Sequence, residues 1–448
     1  MITRISGTRP AAAAAVPIAI IAVLAFAAVP HQLAYSQGVN RTVEFEDLGF
    51  TEPIIVGARP AAMAGAYVAS GNDVHMLLYN PAGLARVKRI ELSLGANQNR
   101  STVDNILFGN SNSIDFRDSG LDGAALAWPL PTYRGNLTIA FGVYHNYSSV
   151  LDLHYRGTHQ VTNTGDNYLL QQTGSVYSYN LGFGVDLAPV LSGGLTFFLL
   201  DGTFDRLTQS DFTFLDPGPV RSVFVKEDVT GDVTGVGGRI GVQLQIRNML
   251  IAGINFTPPV WARLQGGGTY ERTDIYQVPP DDFVQSEESI DDDYLLPFRI
   301  DVGAALRYSR LLVEFDFGYS DWTEAAIDRK RFRNPESLEP TFREVFEYKM
   351  GAEYTFYRLP IRVRAGYAYL PYPLAYVQTD RIENNSETLT KATVEKERQQ
   401  ITVGLGGLIG EVLTIDASLS YTSGKRSTTP MVDERSAYRF VLTASYRI

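Results

Sequence analysis

An alternation of apolar and polar residues with a period of two recurs through most of the chain after Ile90, and it limits the possible folds more than any other feature. In the last segment every second residue from Tyr438 to Ile448 is apolar, whereas Arg439 and Arg447 lie on the opposite face. Earlier segments repeat the pattern, at 346–356, 361–369 and 413–421. Because side chains alternate between the two faces of a strand, the pattern predicts β-strands with one apolar and one polar face. The predicted fold class is all-β.

The environment of the apolar face separates two kinds of all-β fold. In a soluble sandwich the apolar faces pack against each other, whereas in a transmembrane barrel they meet lipid and the polar faces line a lumen. No apolar run of about 18 residues or more follows residue 37, so the mature chain offers no candidate transmembrane helix. Tyrosines near the ends of the apolar stripes favour the barrel, because aromatic residues mark membrane interfaces. They are Tyr308, Tyr319, Tyr369, Tyr421, Tyr438 and Tyr446.

The connections between the predicted strands alternate between short and long. The short ones are Pro129–Gly135, Ala188–Val190, Arg247–Asn248, Ser309–Arg310, Arg358–Pro360 and Ile409–Glu411. The long ones are roughly Asn99–Gly120, Tyr147–Gly174, Arg206–Gly231, Tyr276–Tyr294, Asp321–Arg343, Leu370–Lys396 and Gly424–Ser436. If Leu250–Ile275 is one strand bent at Pro258-Pro259, the count is about fourteen strands. An even number, with short turns in the periplasm and long loops outside, is typical of single-chain outer-membrane barrels.

The N-terminus has the parts of a secretory leader. Arg4 and Arg9 precede the apolar stretch Ala11–Val29, and small residues before Gln37 offer a cleavage site. Residues 1–36 are therefore predicted to be a signal peptide that directs export. An uncleaved membrane anchor is the alternative, because the apolar stretch is just long enough to span a bilayer.

Composition and motif spacing exclude several kinds of function. A net charge of −10 and a pI near 5.1 argue against a nucleic-acid partner. The absence of cysteine excludes structural disulfides and a lipid-modified N-terminal cysteine. The glycine-rich run at 235–238 lacks the lysine of a phosphate-binding loop. The histidines show no metal-ligand spacing; they are His31, His75, His145, His154 and His159. We expect no enzyme, no cofactor and no metal site.

The stretch Gly57–Leu84 differs from the rest of the chain. It is rich in alanine and glycine, and Pro81 cannot donate a hydrogen bond to a β-ladder. Such a segment, placed between a leader and a series of strands, suits a compact plug inside a larger object. We therefore predict a hatch at residues 37–89 within the lumen of a barrel at residues 90–448, with Asn80, Pro81, Ala82 and Gly83 as its motif. An ordinary turn before the first strand is the alternative.

This stretch, with Gly57-Ala58-Arg59, the run Met63–Ala69 and the Asn-Pro-Ala-Gly motif, resembles the hatch of the FadL/TodX family. Barrel segments Val313–Trp322 and Ile361–Pro373 resemble strands of the same family. The resemblance implies a 14-stranded barrel in the outer membrane of a Gram-negative-type bacterium. It also implies passive uptake of long-chain fatty acids or other hydrophobic small molecules. A PorV-like branch, whose barrels carry secreted proteins in type IX secretion, has a similar hatch sequence and remains the alternative.

Two sets of residues are candidates for ligand contact. Apolar residues of the long connection at 206–231 would receive a hydrophobic ligand from outside; they are Phe212, Phe214, Leu215 and Phe224. Arginines on the polar faces would meet a fatty-acid carboxylate; they are Arg239, Arg299, Arg307, Arg362 and Arg364. Most of these arginines have a structural alternative, because Glu314, Asp316, Glu347 and Glu353 offer opposite charge.

The resemblance also implies a route and partners. A rearranging hatch and a gap in the third strand would release the ligand sideways; that strand is predicted at Asn136–Asn146, with Gly142 as its weak point. Outer-membrane lipid and lipopolysaccharide are the expected surroundings. The acidic stretch from Asp281 to Asp293 would contact lipopolysaccharide through divalent cations, or would simply be solvated. A secreted protein is the expected partner under the PorV-like alternative.

Overall fold

Antiparallel pairing joins neighbouring strands into one sheet that closes on itself. The computed structural model describes residues 50, 53–107, 110–159, 164–215, 218–246, 249–329, 340–383, 386–428 and 431–448. The predicted leader, residues 1–36, lies outside these residues.

The strands follow the period-two segments of the sequence. In chain order they are β1 (Glu91–Leu107), β2 (Asn110–Leu130), β3 (Leu137–Ser148), β4 (Leu151–His159), β5 (Thr164–Ala188), β6 (Leu191–Phe214), β7 (Val220–Ile246), β8 (Leu250–Thr257), β9 (Val260–Tyr276), β10 (Asp282–Leu296), β11 (Arg299–Tyr308), β12 (Leu311–Asp321), β13 (Ala326–Arg329), β14 (Pro340–Phe342), β15 (Glu344–Thr355), β16 (Ile361–Leu370), β17 (Leu374–Glu383), β18 (Ser386–Ile409), β19 (Leu413–Thr428) and β20 (Met431–Arg447).

The first and last strands pair with each other, so the sheet is a closed barrel. The register of β1 against β20 runs from Glu91↔Arg447 to Leu107↔Met431. Closure removes the unpaired edges that an open sheet would expose, which lipid cannot hydrogen-bond. The predicted antiparallel barrel of fourteen strands is confirmed.

The prediction of a bent strand at Pro258-Pro259 is also confirmed. Both β8 and β9 pair with β7, on either side of the two prolines. Their partners on the other side, β11 and β10, are likewise two parts of one barrel strand. Proline has no N–H to donate, so the ladder is interrupted there without a change in strand order.

The apolar face of the strands points outward. On β20, the exposed fractions are 54% for Tyr438, 43% for Phe440 and 44% for Leu442, whereas Thr443 is 2% exposed. The inward face carries polar side chains such as Gln243, which is fully buried. This arrangement matches a barrel whose outer surface meets lipid.

The predicted long loops are largely strand. β5, β6 and β7 have 25, 24 and 27 residues, more than twice the roughly 9–11 residues that span a membrane. The connection predicted at 206–231 is a hairpin, with strand up to Phe214 and again from Val220. The strands paired with β6 and β7 continue to the tips of the hairpins, so the backbone N–H and C=O groups stay hydrogen-bonded beyond the membrane. We call this side the long-hairpin end and the opposite side the short-turn end.

The N-terminal segment folds into short helical pieces, α1 (Ala58–Ala62), α2 (Met76–Tyr79) and the 3₁₀ helix η1 (Pro81–Arg86). Among the described residues, no helix is long and apolar enough to cross a membrane. Residues 54–87 touch inward-facing residues of strands around the barrel, from β2 and β3 to β18 and β20. We refer to this segment as the hatch.

Candidate functional site

The Asn-Pro-Ala-Gly motif joins two parts of the hatch to the wall. Asn80 is fully buried, and its Nδ2 donates to the carbonyl oxygens of Val68 (2.9 Å) and Val242 (3.1 Å). Its Oδ1 accepts from the backbone N of Ala82 (3.2 Å) and so caps η1, which begins at Pro81. Proline suits the first position of a helix, where its missing N–H has no partner to lose. The motif therefore positions η1 against β7.

Glycines on the inward face of the wall form the seat of the hatch. At Gly194 a Cβ atom would lie 2.2 Å from the carbonyl carbon of Pro81 and 2.4 Å from the N of Ala82. At Gly366 it would lie 2.6 Å from the N of Ala64. Only glycine lets two backbones approach so closely. Other seat glycines with a hatch atom within 3.0 Å of such a Cβ are Gly182, Gly184, Gly241, Gly253, Gly303, Gly351 and Gly404.

A buried ion-pair network joins α1 to β15, β16 and β19. The Nε of Arg59 donates to Glu353 (3.0 Å), and the Nε of Arg364 donates to the same carboxylate (2.7 Å). The Nη1 of Arg364 donates to Asp416 (2.7 Å), and the Arg364 side chain is 0% exposed. Two cations and two carboxylates balance within the barrel. The network fixes both a wall position and the first helix of the hatch.

A second ionic group lies inside the hatch. The Nδ1 of His75 is 3.3 Å from Asp73, and the Nη1 of Arg59 lies 3.5 Å from the same carboxylate. Burial by itself raises the pKa of Asp73 and lowers the pKa of His75. The hydrogen bond and opposite charge between them outweigh burial, so the pKa of Asp73 falls below its usual range and the pKa of His75 rises. Tyr67 also donates its hydroxyl to Asp73.

An apolar cluster fills the lumen on the long-hairpin side of the hatch. Most of its members face inward from the strands, and Trp322 lies in the 3₁₀ helix Trp322–Glu324 that follows β12. They are Val176, Phe198, Leu200, Phe204, Val229, Val233, Val260, Ala262, Leu264, Ile290, Tyr294, Leu296, Trp322 and Val345. Phe50 joins it from the N-terminal side, with its ring centroid 5.1 Å from that of Tyr147 and 5.9 Å from that of Tyr294. An apolar lumen bounded by polar groups is the usual form of a site for a hydrophobic ligand.

Arg239 lies between this cluster and the hatch. On the inward face of β7, Gly241 meets Asn80, while Gly237 lies against Phe198. The guanidinium of Arg239 stands 4.3 Å from the Phe198 ring centroid and donates from Nη1 to Asn180 Oδ1 (3.2 Å). Among the described residues it forms no salt bridge with a carboxylate. Its guanidinium thus lies at the floor of the apolar cluster.

The other predicted arginines lie elsewhere. Arg299 donates to Asp301 (2.7 Å) and Glu347 (2.7 Å), so its charge is already paired. Arg364 belongs to the network described above. Arg307 and Arg362 are half-buried at the short-turn end, where Arg307 is two residues from the turn at Ser309.

The predicted landing residues do not lie in a loop. Phe212 and Phe214 are in β6, where Phe212 faces Val223 across the ladder, and Phe224 is in β7. Leu215 follows β6 and is 55% exposed. The hairpin thus places these side chains at the long-hairpin end on paired strands.

The third barrel strand is only partly joined to its neighbour. The pairing of β3 with β2 ends at Tyr144↔Gly123, and among the described residues β4 pairs with β5 alone. The N of Ile54 donates to the carbonyl of Asn146 (2.8 Å), and the hydroxyl of Tyr144 donates to Val74 O (3.1 Å). Gly142 lies under the Tyr144 ring, 2.6 Å from its Cε2 as measured from an added Cβ. The hatch therefore contacts the wall where its ladder stops.

The described residues contain no cluster of titratable side chains that could hold a metal ion. In the parts of the barrel and hatch that the structure describes, no three histidine, aspartate or glutamate side chains come together as metal ligands would.

Residues 55–447 match a family described as outer membrane protein transport protein (OMPP1/FadL/TodX). The chain belongs to the FadL/TodX family. Membership assigns it to the outer membrane and to transport of hydrophobic compounds, in a family of transporters rather than of enzymes. A search of curated proteins finds no match.

Solved FadL/TodX structures share the fold at low identity. A FadL homologue of Pseudomonas aeruginosa has 14% identity and a TM-score of 0.61, over 87% of this chain and 98% of its own. The toluene transporter TodX of P. putida has 15% identity and a TM-score of 0.61, over 88% and 98%. The toluene transporter TbuX of Ralstonia pickettii has 16% identity and a TM-score of 0.59, over 88% and 98%. These relatives do not favour the PorV-like alternative.

Sequence reasoning missed several parts of this site. The seat glycines belong to different strands, so no local motif joins them. The apolar cluster likewise draws one or a few residues from each strand. One signal for both was present in the sequence. Glycine or a large apolar residue at an alternate position that is otherwise polar marks a contact within the lumen.

Proposed function

We propose that this chain takes up amphipathic compounds with a long apolar chain and a carboxylate, of which long-chain fatty acids are the main class. The observation that carries the proposal is Arg239, a half-buried arginine without a carboxylate partner among the described residues, at the floor of an apolar lumen. Burial of an alkyl chain in the cluster contributes about 0.8 kcal/mol per CH₂ group. A charge-assisted hydrogen bond at the floor orients the chain.

Uptake on this proposal is passive. The ligand lands on the apolar side chains of the long hairpins, moves into the apolar cluster and reaches Arg239. A shift of the hatch then opens the way to the third strand, where the ladder between β2 and β3 stops. Sideways release through that gap needs no nucleotide and no cofactor.

Arg239→Met is expected to weaken recognition of the ligand's carboxylate without weakening recognition of its alkyl chain. Loss of a hydrogen bond to a charged group costs about 1.5–3 kcal/mol, so the Kd for palmitate should rise by roughly ten- to a hundredfold. The Kd for hexadecane should stay within about twofold, because the apolar cluster is intact. Displacement of a fluorescent fatty acid from purified barrel measures both.

Arg307→Met is the matched control, since it removes an inward arginine at the short-turn end. It should leave both affinities unchanged. If Arg307→Met weakens palmitate binding and Arg239→Met does not, the anion site lies at the other end of the lumen and the proposal is wrong.

A disulfide between hatch and wall is expected to stop uptake. A Cβ on Gly351 would lie 2.7 Å from the Cβ of Met63, so Met63→Cys with Gly351→Cys needs an adjustment of about an ångström to reach the usual Cβ separation. The chain has no other cysteine to compete. Oxidised double variant should lose fatty-acid uptake in cells, and reductant should restore it. Uptake that is the same in both redox states would show that the hatch need not move at this point.

A further inference from the structure

Two carboxylates on one strand hold the middle of the hatch. Asp316 Oδ2 accepts from the backbone N of Tyr67 (2.7 Å) and Val68 (2.9 Å). Glu314 accepts from the backbone N of Ala69 (2.7 Å) and Ser70 (3.2 Å). Consecutive N–H groups of the hatch thus end on neighbouring inward positions of β12.

These two carboxylates differ from the other inward acids beside the hatch. Glu314 is 0% exposed and Asp316 is 2% exposed, and neither forms a salt bridge among the described residues. Five other inward carboxylates each have a cation within 4.0 Å; they are Glu91, Asp122, Glu347, Glu353 and Asp416. Backbone N–H groups offset part of a buried negative charge, but they do not neutralise two of them.

One buried polar atom at the pair, Oδ1 of Asp316, has no hydrogen-bond partner. A carboxylate oxygen accepts only, so an unpartnered buried one calls for a donor. A proton on the neighbouring carboxyl group supplies such a donor.

The surroundings offer the pair no counter-charge. Directly across the ladder from Asp316, Lys349 places its Nζ 3.0 Å from Glu347 instead. On the other side Gly303 and Ala305 face the pair across the ladder. Most of the charged or titratable groups on the packed elements are engaged with other partners: Arg299 and Asp301 on β11, Glu347 and Glu353 on β15, and Arg59, Tyr67, Asp73 and His75 in the hatch. Arg307, also on the inward face of β11, forms no salt bridge with either carboxylate among the described residues.

We propose that Glu314 and Asp316 form a proton-binding site, in which one proton shared by the two carboxyl groups fastens residues 67–70 of the hatch to the wall. Two negative charges at neighbouring inward positions of a buried site cannot both form at little cost, so the pair keeps one proton and carries a single negative charge. The proton belongs to the pair rather than to either residue.

The proton makes docking of the hatch dependent on pH. In a displaced hatch water reaches the pair, and both carboxyl groups ionise near their ordinary values. Between the ordinary carboxyl values and the pH at which the docked pair ionises, the docked state binds one proton more. Docking is therefore strongest below the ordinary values, weakens as the pH rises across this interval and levels off above it. Acid does not release the hatch here, because a neutral carboxyl group still offers its carbonyl oxygen to the N–H groups.

Single amide variants imitate the shared proton. In Glu314→Gln the amide oxygen accepts from the hatch while the NH₂ group donates to Asp316, and Asp316→Asn does the same in reverse. The readouts on full-length barrel in detergent are the infrared carbonyl band of a protonated carboxyl group and the hydrogen-exchange protection factors of residues 67–70, which are already corrected for the intrinsic effect of pH.

Wild type should show the carboxyl band at neutral pH, and each single variant should lack it. Protection of residues 67–70 in wild type should fall by up to about tenfold per pH unit between the ordinary carboxyl values and the pH at which the docked pair ionises, and it should level off above that pH. The variants should keep the wild-type protection at neutral pH and lose this slope. The titration of His75 contributes equally to all of them and cancels in the comparison.

Asp122→Asn is the matched control. Asp122 is 1% exposed and accepts from the backbone N of Gly57 (2.7 Å), but it is paired with Arg439. This variant should keep both the infrared band and the pH slope at residues 67–70. The proposal of a shared proton is wrong if wild type lacks the infrared carboxyl band. It is also wrong if protection of residues 67–70 depends on pH in wild type as it does in Glu314→Gln, even when the hatch remains docked.

Discussion

Replacement of Gly194 by valine is expected to unseat the C-terminal part of the hatch. The new Cβ would meet backbone atoms of Pro81 and Ala82 at 2.2 and 2.4 Å, and backbone cannot rotate away as a side chain would. Overpacking typically costs about 1–3 kcal/mol, and a clash with backbone on a fixed strand belongs at or above the upper limit. The strand itself should form, because valine suits a strand. Hydrogen exchange in residues 81–86 should accelerate, and ion conductance through barrels in planar bilayers should increase.

Gly407→Val is the control for this prediction. Gly407 lies on β18, and a Cβ there meets nothing within 4 Å. The same chemical change should leave exchange and conductance as in wild type. If Gly194→Val also leaves both unchanged, the close approach of η1 to the wall is not required for the hatch to dock.

Replacement of Arg364 by methionine should destabilise the barrel strongly. Methionine fills a similar volume, but it leaves Asp416 without the 2.7 Å hydrogen bond from Nη1 and leaves Glu353 with Arg59 alone. Removal of one partner from a buried ion pair costs about 3–5 kcal/mol, since an unpaired charge stays in the interior. Reversible urea unfolding in detergent micelles measures the loss in free energy of unfolding.

Two further variants test the cause. Arg358→Met changes an exposed arginine in a short turn and should stay within about 0.5 kcal/mol of wild type. The double change Arg364→Met with Asp416→Leu should recover part of the loss, because the uncompensated carboxylate is gone. Additive effects in the double variant would mean that the charge of Asp416 is not what Arg364 balances.

The barrel was predictable because its rule is local. An apolar residue at every second position, as from Tyr438 to Ile448, places one face in lipid whatever the rest of the chain does. The bend at Pro258-Pro259 was also predictable. The two prolines interrupt the ladder because they have no N–H, but the alternation of short and long connections is kept only if the segment is one strand. Strand count and closure followed from these two facts.

The ends of the strands were not predictable in the same way. Residues 206–214 contain Gln209, Ser210 and Asp211 beside Phe212, which is weak alternation for a strand. Their pairing is fixed by β5 and β7, which run alongside for the same distance. Non-local partners decide such segments, and the sequence alone therefore shows a long polar connection.

The candidate site was also predictable only where a local motif marks it. The Asn-Pro-Ala-Gly motif pointed to the hatch, but not to the bond from Asn80 to Val242, which is 162 residues away. The five arginines look alike in sequence, and only the fold shows that Arg299 and Arg364 have carboxylate partners while Arg239 faces an apolar cluster. Charge can be read from sequence, whereas the pairing of charges across a barrel cannot.

The hatch carries most of an apolar core of its own. Val56, Met63, Val74, Met76, Leu77 and Leu84 pack in one cluster. The wall adds alanines and three larger apolar residues to it: Ala125, Ala127, Ala140, Ala305, Tyr144, Ile251 and Leu312. The remaining fastenings to the wall are hydrogen bonds, ion pairs and glycine contacts, and water can replace the polar ones. Displacement therefore wets the surface of the hatch and leaves its interior dry. If uptake follows the route proposed above, each transport event requires the segment to be rehydrated and reseated, but it does not require the segment to refold.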